Sequence, residues 1–281
     1  MKAFISIDLE GMPYIVIPGH LSLKGALYTE ARQIATKVTL AVAEELHANG
    51  AKEVVVADSH GPMVNLLVDN LPDYLEIVRG YPRPVSMVAG VENCDVAMFL
   101  GYHARAGTAY ATFDHTYSGR AIHRVMVNGV EASEFLLNAY VAGDSKIPVV
   151  LVAGDRSLLE EEVKQYAPWA ERIVLKQSLG RGAARSFGMG KIEKELRNGV
   201  KQALTTFKQK QAKPLITKHP VTMRVTYAST YFADAAELLP IVTRKGGLDI
   251  EYTVDNMVQA YKVFELLSLA ASGVWAIKQN Q

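Results

Sequence analysis

The sequence is poor in cysteine and in long apolar runs, and both absences narrow what the protein can be. Cys94 is the single cysteine among 281 residues, so the chain cannot form an internal disulfide, which is typical of a reducing compartment. No stretch approaches 18 uninterrupted apolar residues, and the N-terminus leads into a strand with acidic residues instead of a signal peptide. We therefore expect a cytoplasmic protein that has no membrane partner.

Net charge is also nearly absent. The chain has 30 Lys and Arg residues and 29 Asp and Glu residues, which gives a formal charge of +1. A balance this even provides no general attraction for a polyanion, so no nucleic-acid partner is expected. With 49% hydrophobic and 21% charged residues, the composition is that of an ordinary globular protein and excludes a disordered or fibrous one.

Four short apolar segments rich in β-branched residues predict buried strands. They are KAFISI, KEVVVAD, VAMFLGY and IPVVLVAGD, at residues 2–7, 52–58, 96–102 and 147–155. Helical periodicity fills LYTEARQIATKVTLAVAEELHANG, which ends at Asn49-Gly50, a common helix stop. Strands that alternate with helices indicate βαβ units. We therefore predict an α/β fold, with a layered αβα domain around a mostly parallel sheet.

The pattern changes twice further along the chain. An Asn128-Gly129 turn within AIHRVMVNGVEAS predicts a β-hairpin, and Ser133 is a suitable N-cap for the helix that follows. In the last quarter, alternating segments such as LDIEYTVD predict half-exposed strands before a closing helix. We predict a main α/β domain over residues 1–207, a polar connection, and a smaller α+β part over residues 214–281.

Polar side chains follow the predicted strands, at the edge where parallel sheets bind their ligands. Asp8 and Glu10 come after the first strand, His60 after the second and His103 after the third, while Glu134 begins the helix after the hairpin. If the strands are parallel, three strand ends and one helix start bring carboxylates and imidazoles to the same rim.

Asp8 and Glu10 suggest what these side chains bind. On a strand, residues i and i+2 face the same way, about 7 Å apart. Two like charges this close resist burial unless a cation lies between them, and carboxylates mixed with imidazoles suit zinc. The alternative is that the acids cap loops and the histidines make ordinary hydrogen bonds. For one residue the two interpretations are about equal, but the whole set favours a metal.

His115 is a further candidate, within the polar segment ATFDHTYSG, which has no apolar periodicity. It could act as an acid or base, or stabilise an oxyanion. The alternative is a loop histidine that makes one hydrogen bond, which is the simpler interpretation of this residue alone.

Five segments, taken in order, resemble the zinc-dependent D-aminopeptidase family typified by the D-aminopeptidase of a bacterial dipeptide-transport operon. They are SIDLEG, DSHG, FLGYHARAG, DHT and EFLLNAYVAGD. The resemblance is clearest over residues 1–177 and is looser in the C-terminal third. It implies an enzyme with two zinc ions per chain, in ring-shaped homo-oligomers that enclose the active sites.

The resemblance also implies a role for each candidate ligand. Asp8 matches the carboxylate that bridges the two zinc ions. Glu10 and His60 would complete the coordination of one ion, and His103 and Glu134 that of the other.

Three further residues are carried by the same resemblance or lie beside its motifs. His115 matches the additional active-site histidine of the family. Arg105 and Asn138 are candidates for contacts to the metal ligands or to the substrate.

The function expected from these features is a dinuclear zinc aminopeptidase. It would use a metal-bridging hydroxide to hydrolyse short peptides or amides that begin with a D-amino acid such as D-alanine. One alternative is a metal-dependent amidohydrolase or L-aminopeptidase of other specificity. An alternative of another class is a non-catalytic, metal-stabilised binding protein.

Overall fold

The computed structural model describes residues 1–280 and contains two β-sheets. The strands of the first sheet are β1 (Lys2–Ile7), β2 (Glu53–Asp58), β3 (Leu75–Val78), β4 (Val96–Tyr102), β7 (Val149–Asp155), β8 (Glu171–Gly180) and β9 (Ala183–Arg185). The strands of the second sheet are β5 (Ile122–Val127), β6 (Val130–Glu131), β10 (Val221–Tyr227), β11 (Thr243–Arg244) and β12 (Asp249–Val254).

The first sheet has the strand order β3-β2-β1-β4-β7-β8-β9. β1 lies near its middle and pairs in parallel with both neighbours, so that Ile5 is opposite Val56 on β2 and Met98 on β4. The pairs β2–β3, β4–β7 and β7–β8 are parallel as well, and β9 alone runs antiparallel to its neighbour. The prediction of a mostly parallel sheet is therefore confirmed.

Seven α-helices connect and cover the strands in the described residues. They are α1 (Tyr28–Ala48), α2 (Glu134–Asp144), α3 (Arg156–Leu158), α4 (Lys164–Tyr166), α5 (Met189–Lys208), α6 (Thr230–Glu237) and α7 (Met257–Gln279). A π-helical turn (Leu159–Val163) joins α3 to α4. Single 3₁₀ turns lie at Pro18–His20, Ser86–Val88 and Val91–Asn93.

Both faces of the first sheet are buried under helices. Ile5 packs on one face in a cluster with residues of α1 and α5, including Val38 and Val200. Its neighbour Phe4 points to the opposite face, in a cluster with residues of α2 such as Phe135. Because neither face of the sheet's centre meets solvent, the central strands β1, β4 and β7 consist of almost uninterrupted apolar residues, and the αβα layering agrees with the prediction.

Three predictions of local structure are confirmed: a helix end, a tight turn and a helix N-cap. α1 is followed by Gly50 with φ +101°, a left-handed conformation that glycine adopts without strain. Asn128 and Gly129 both have positive φ, as the tight turn between β5 and β6 requires. The hydroxyl of Ser133 accepts a hydrogen bond from the Leu136 backbone N–H at 3.2 Å and so caps α2.

The second sheet is antiparallel and has the order β11-β12-β10-β5-β6. Val225 of β10 lies between Val125 of β5 and Ile250 of β12. This sheet therefore combines the hairpin of residues 122–131 with strands that come after residue 214. The division into domains at residues 207–214 stays a prediction.

Strand β8 was not predicted from the sequence, although it is the longest strand among the described residues. Its sequence, ERIVLKQSLG, has only three consecutive apolar residues, and charged and polar residues surround them. β8 nevertheless pairs in parallel with β7, next to the edge strand β9.

Helix α7 is long and apolar enough to cross a membrane by length and composition alone. An 18-residue window of it has a mean hydropathy of 1.3, and 28% of that window is buried in the fold. Its buried residues include Tyr261, Phe264 and Leu267, which belong to the main core cluster. The expectation of no membrane partner stays a prediction.

Candidate metal centre

Asp8 and Glu10 lie in a turn just beyond β1, and not on the strand itself. The Met12 N–H donates to the Leu9 carbonyl at 3.0 Å, and the Gly11 N–H donates to the Gly101 carbonyl at 2.7 Å. The prediction that Asp8 and Glu10 share one face of a strand is therefore wrong, although the two side chains do lie together. A turn packed against the end of β4 brings both side chains to the same place.

Gly101 makes this close packing possible. Its φ is +74°, and a Cβ at this position would overlap the carbonyl oxygen of Asp8. Since both the conformation and the space exclude a side chain, we expect Gly101→Ala to lower the free energy of unfolding by about 2–4 kcal/mol. The same change would displace Asp8 and weaken metal binding.

Gly107 provides the matched control for this substitution. Its φ is +83°, but nothing lies within 4 Å of a Cβ added there. Gly107→Ala should therefore cost only the conformational strain, about 1 kcal/mol. Denaturant unfolding of the two metal-free variants measures both losses, and equal losses would contradict the role given to the packing of Gly101 against Asp8.

His60 lies against both acids. Its Nδ1 is 2.8 Å from Glu10 Oε2 and 3.3 Å from Asp8 Oδ1, and its Nε2 is 2.9 Å from the Leu21 carbonyl oxygen. A carbonyl can only accept a hydrogen bond, so it places the proton of the neutral ring on Nε2. The lone pair of Nδ1 then faces the carboxylates, as a metal ligand requires.

His103 has the corresponding arrangement with its two nitrogens exchanged. Its Nδ1 is 3.0 Å from the Ala104 carbonyl oxygen, and its Nε2 is 3.4 Å from Asp8 Oδ2 and 3.5 Å from Glu134 Oε1. In the neutral ring Nε2 therefore carries the lone pair. The side chain is almost completely buried.

Glu134 reaches the same place from the first turn of α2. Its Oε1 accepts a hydrogen bond from the Tyr117 N–H at 2.7 Å. The Ser133 cap fixes the start of the helix, and the partial positive charge of a helix N-terminus favours a carboxylate there.

His115 stacks on His103, with the ring centroids 4.3 Å apart and an angle of 12° between the planes. Its Nδ1 is 2.7 Å from the Phe113 carbonyl oxygen and its Nε2 is 3.5 Å from Glu134 Oε1. The side chain is 17% exposed, against 1% for His103. Of the two stacked rings, His115 is the one that lines the neighbouring cavity.

The atoms that could bind a metal form two groups that share His103. Within each group, the atoms lie within 4.8 Å of one another. One group is Asp8, Glu10 and His103, and the other is His103, His115 and Glu134. The geometry thus allows His115 either as a ligand or as a group that acts on the substrate.

Two buried atoms of the site have no hydrogen-bond partner among the described residues. They are Asp8 Oδ2 and His103 Nε2, which face each other at 3.4 Å. Buried polar atoms are rarely left unsatisfied, so a group between them is to be expected. Carboxylate oxygens and imidazole nitrogens are typical zinc ligands, and the residues present therefore fit zinc.

Without metal, the charges of the site act on each other strongly. Burial and the nearby charge of Glu10 raise the pKa of Asp8 well above its usual range. Burial alone would lower the pKa of His103, but the charges of Glu134 and Asp8 raise it to about 10. Burial and the charge of His103 lower the pKa of His115. In the metal-free site the raised pKa values of Asp8 and His103 favour bound protons, which a metal ion has to displace.

Arg105 and Asn138 lie apart from the candidate ligands. Arg105 Nη1 is 2.9 Å from Glu162 Oε1, and this arginine lines a different cavity. Asn138 is buried behind the site, where its Nδ2 donates to the Tyr102 hydroxyl at 3.0 Å and its Oδ1 accepts from the Tyr261 hydroxyl at 2.7 Å. Asn138 thus joins α2, β4 and α7.

Lys176 was not found from the sequence, although its side chain supports the site directly. It lies on β8 and is 1% exposed. Its ammonium donates to the carbonyl oxygens of Glu10 and Ile15, the second at 2.7 Å. Burial lowers the pKa of Lys176 to about 8. No local pattern points to this residue, because β8 itself was not predicted.

A cavity of about 470 Å³ opens onto the candidate ligands. Asp8, Glu10, His60 and Glu134 line it, together with His115. A larger cavity of about 940 Å³ lies between β8 and α5 and contains none of them. The smaller cavity is therefore the one that can place a substrate beside the metal ligands.

The chain is similar to known peptidases over nearly its whole length. Residues 1–266 match the peptidase M55 family, which is described as D-aminopeptidase. A D-aminopeptidase of Bacillus subtilis (strain 168) is 29% identical over 270 residues, which cover 95% of this chain and 97% of that protein.

A solved structure agrees with the fold as well. It is that of the zinc-dependent D-aminopeptidase DppA from Bacillus subtilis, described as a self-compartmentalizing protease. The similarity has a TM-score of 0.92 at 29% sequence identity and covers 97% of this chain and 98% of that one.

Proposed function

Because the chain belongs to the M55 family of D-aminopeptidases and is a hydrolase of peptide bonds, we propose that it uses two zinc ions to remove an N-terminal D-amino acid, such as D-alanine, from short peptides and amides. The zinc-dependent relative of the same fold supports zinc as the metal. The observation that carries the proposal is the pair of buried, unsatisfied atoms Asp8 Oδ2 and His103 Nε2 between carboxylates and imidazoles.

Asp8 is the residue that would bridge the two ions. Its Oδ1 lies 3.3 Å from His60 Nδ1, and its Oδ2 lies 3.4 Å from His103 Nε2. The two oxygens therefore face two different imidazoles. Glu10 would complete the set on the His60 side and Glu134 the set on the His103 side.

When bound, the zinc ions would supply a hydroxide ion near neutral pH and polarise the scissile carbonyl group. The contribution of the chain is to hold the ligands in place. The carbonyl oxygens of Leu21 and Ala104 fix the ring orientations of His60 and His103. Lys176 fixes the turn that carries Glu10.

His115 would move a proton at its Nε2 atom. The Phe113 carbonyl oxygen holds Nδ1 at 2.7 Å, which orients the ring and leaves Nε2 beside Glu134. From there it could protonate the leaving amine or, when protonated, donate a hydrogen bond to the oxyanion. Its place on the cavity wall supports a role toward the substrate.

A homo-oligomer, ring-shaped and enclosing its active sites, is part of the same proposal. The relative of known structure is described as self-compartmentalizing. Large apolar side chains at the surface of this chain, such as Leu238 and Tyr110, are available for contacts between copies. A cytoplasmic location stays a prediction.

A matched pair of dipeptides tests the substrate. We expect kcat/KM for D-Ala-Gly to exceed that for L-Ala-Gly by about 100-fold or more, because the position of the ligands fixes which face of the N-terminal residue meets the cavity wall. Release of free alanine by the zinc-loaded protein measures both rates.

Results that differ from this expectation would each favour another function. A preference for the L-dipeptide would contradict the proposal in favour of an L-aminopeptidase. Hydrolysis of amides without hydrolysis of either dipeptide would indicate another amidohydrolase. Zinc binding without turnover of a broad dipeptide panel would indicate a non-catalytic binding protein.

A further inference from the structure

Helix α7 forms a second wall of the cavity that contains the candidate zinc ligands. Glu265, Ser268, Leu269 and Ser272 line the cavity from this helix. The spacing of these residues places them along one side of the helix. α7 is held against α2 by the hydrogen bond from the Tyr261 hydroxyl to Asn138 Oδ1. This polar wall is therefore fixed with respect to Glu134, which begins α2.

Besides two histidines, His60 and His115, the ionisable side chains that line the cavity include several carboxylates. Four acidic residues line it, namely Asp8, Glu10, Glu134 and Glu265, and among residues 1–280 no lysine or arginine does so. Three of the four acids belong to the proposed zinc site. Glu265 is the one carboxylate of the lining outside that site.

Arg83 is near Glu265, but its guanidinium group is bound elsewhere. Nε donates to the Ser86 carbonyl at 2.8 Å, Nη1 to the Val78 carbonyl at 2.9 Å and Nη2 to the Ser59 hydroxyl at 3.1 Å. Within residues 1–280, no side-chain nitrogen of Lys, Arg or His lies within 4.0 Å of the Glu265 carboxylate. Burial raises the pKa of Glu265, while the charge of Arg83 and a hydrogen bond from the Arg83 backbone N–H act in the opposite direction.

We propose that Glu265 binds the N-terminal ammonium group of the substrate. A partly buried carboxylate that has no ion-pair partner among the described residues, in the lining of the cavity beside the proposed zinc site, matches a ligand with one positive charge. Peptides with a free N-terminal D-residue carry this charge next to the scissile bond. The inference rests on the proposed function, and it identifies the group that makes the enzyme require a free amino end.

The test compares two substrates that differ in this one group. D-alanyl amide carries the ammonium group, and D-lactyl amide has a hydroxyl group in its place. Glu265→Gln keeps the shape of the side chain and removes its charge. We expect this variant to lose about 10- to 100-fold in kcat/KM for the alanyl compound, mainly through KM, and less than about threefold for the lactyl compound. Glu265→Asp should retain part of the preference.

Glu30→Gln is the matched control, because Glu30 is an exposed acid on α1 that does not line the cavity. It should leave both rates unchanged. An equal loss for the two substrates in Glu265→Gln would indicate a structural role and overturn the proposal, as would the absence of any loss. If the lactyl compound is not cleaved, its constant as a competitive inhibitor is compared instead.

A binding measurement separates this inference from the proposed function. D-alaninol has the ammonium group and no scissile bond, so its affinity can be measured by calorimetry whether or not the protein is active. Tighter binding by the wild type than by Glu265→Gln supports the ammonium site even if no peptide is cleaved. Equal binding overturns the site even if D-peptides are cleaved.

Discussion

Asp8→Ala should remove both zinc ions and reduce turnover by at least about 1000-fold. The two oxygens of Asp8 face His60 on one side and His103 on the other, so both halves of the proposed centre lose a ligand at once. Losing a terminal ligand should instead weaken one ion more than the other. Zinc per chain after dialysis, measured by elemental analysis together with the rate on D-Ala-Gly, checks the expectation.

Asp69→Ala is the control for this variant, since Asp69 is an exposed acid outside the cavity. It should keep wild-type zinc and wild-type turnover. Circular dichroism of the metal-free Asp8→Ala protein shows whether the fold is intact. If a folded Asp8→Ala variant keeps two tightly bound zinc ions, Asp8 does not bridge them.

His115→Ala should keep its zinc and lose about 100- to 10,000-fold in kcat. The reason is that His115 lines the cavity, whereas the other ring of the stacked pair, His103, is buried among the ligands. Zinc content and steady-state kinetics on the same preparation give both quantities. His123→Ala, which removes an exposed histidine of β5, is the matched control and should change neither.

Two results would contradict this assignment of His115, and each has a different meaning. Loss of one zinc ion would make His115 a ligand, which its distances to His103 and Glu134 also permit. Wild-type kcat with full zinc would remove it from the reaction altogether.

The central strands of the fold and the residues of the candidate site could be predicted from the sequence, because both depend on local patterns. Apolar β-branched runs predicted β1 and β4 at the bounds that the structure has. Once those strands were taken as parallel, the polar residues after them had to share one edge. His103 and Glu134, which are 31 positions apart by their numbers, were therefore placed together before any contact was known.

The parts that were not predicted depend on contacts that leave no local pattern. Asp8 and Glu10 meet through a turn that requires Gly101, a residue of another strand. Lys176 lies on a strand that was not predicted because it contains several polar residues. Its hydrogen-bond partners, Glu10 and Ile15, are more than 160 positions away in the sequence. Glu265 is one acid on an apolar helix, and only the packing of α7 brings it to the cavity.

Zinc per chain is the measurement that tests the central claim most directly. Protein purified without chelators or metal-affinity tags, and then incubated with zinc and dialysed, is analysed for its elements. We expect about two zinc ions per chain, as in a dinuclear hydrolase. A protein that holds no zinc after this treatment would leave the buried, unsatisfied atoms of Asp8 and His103 unexplained and would contradict the proposed mechanism.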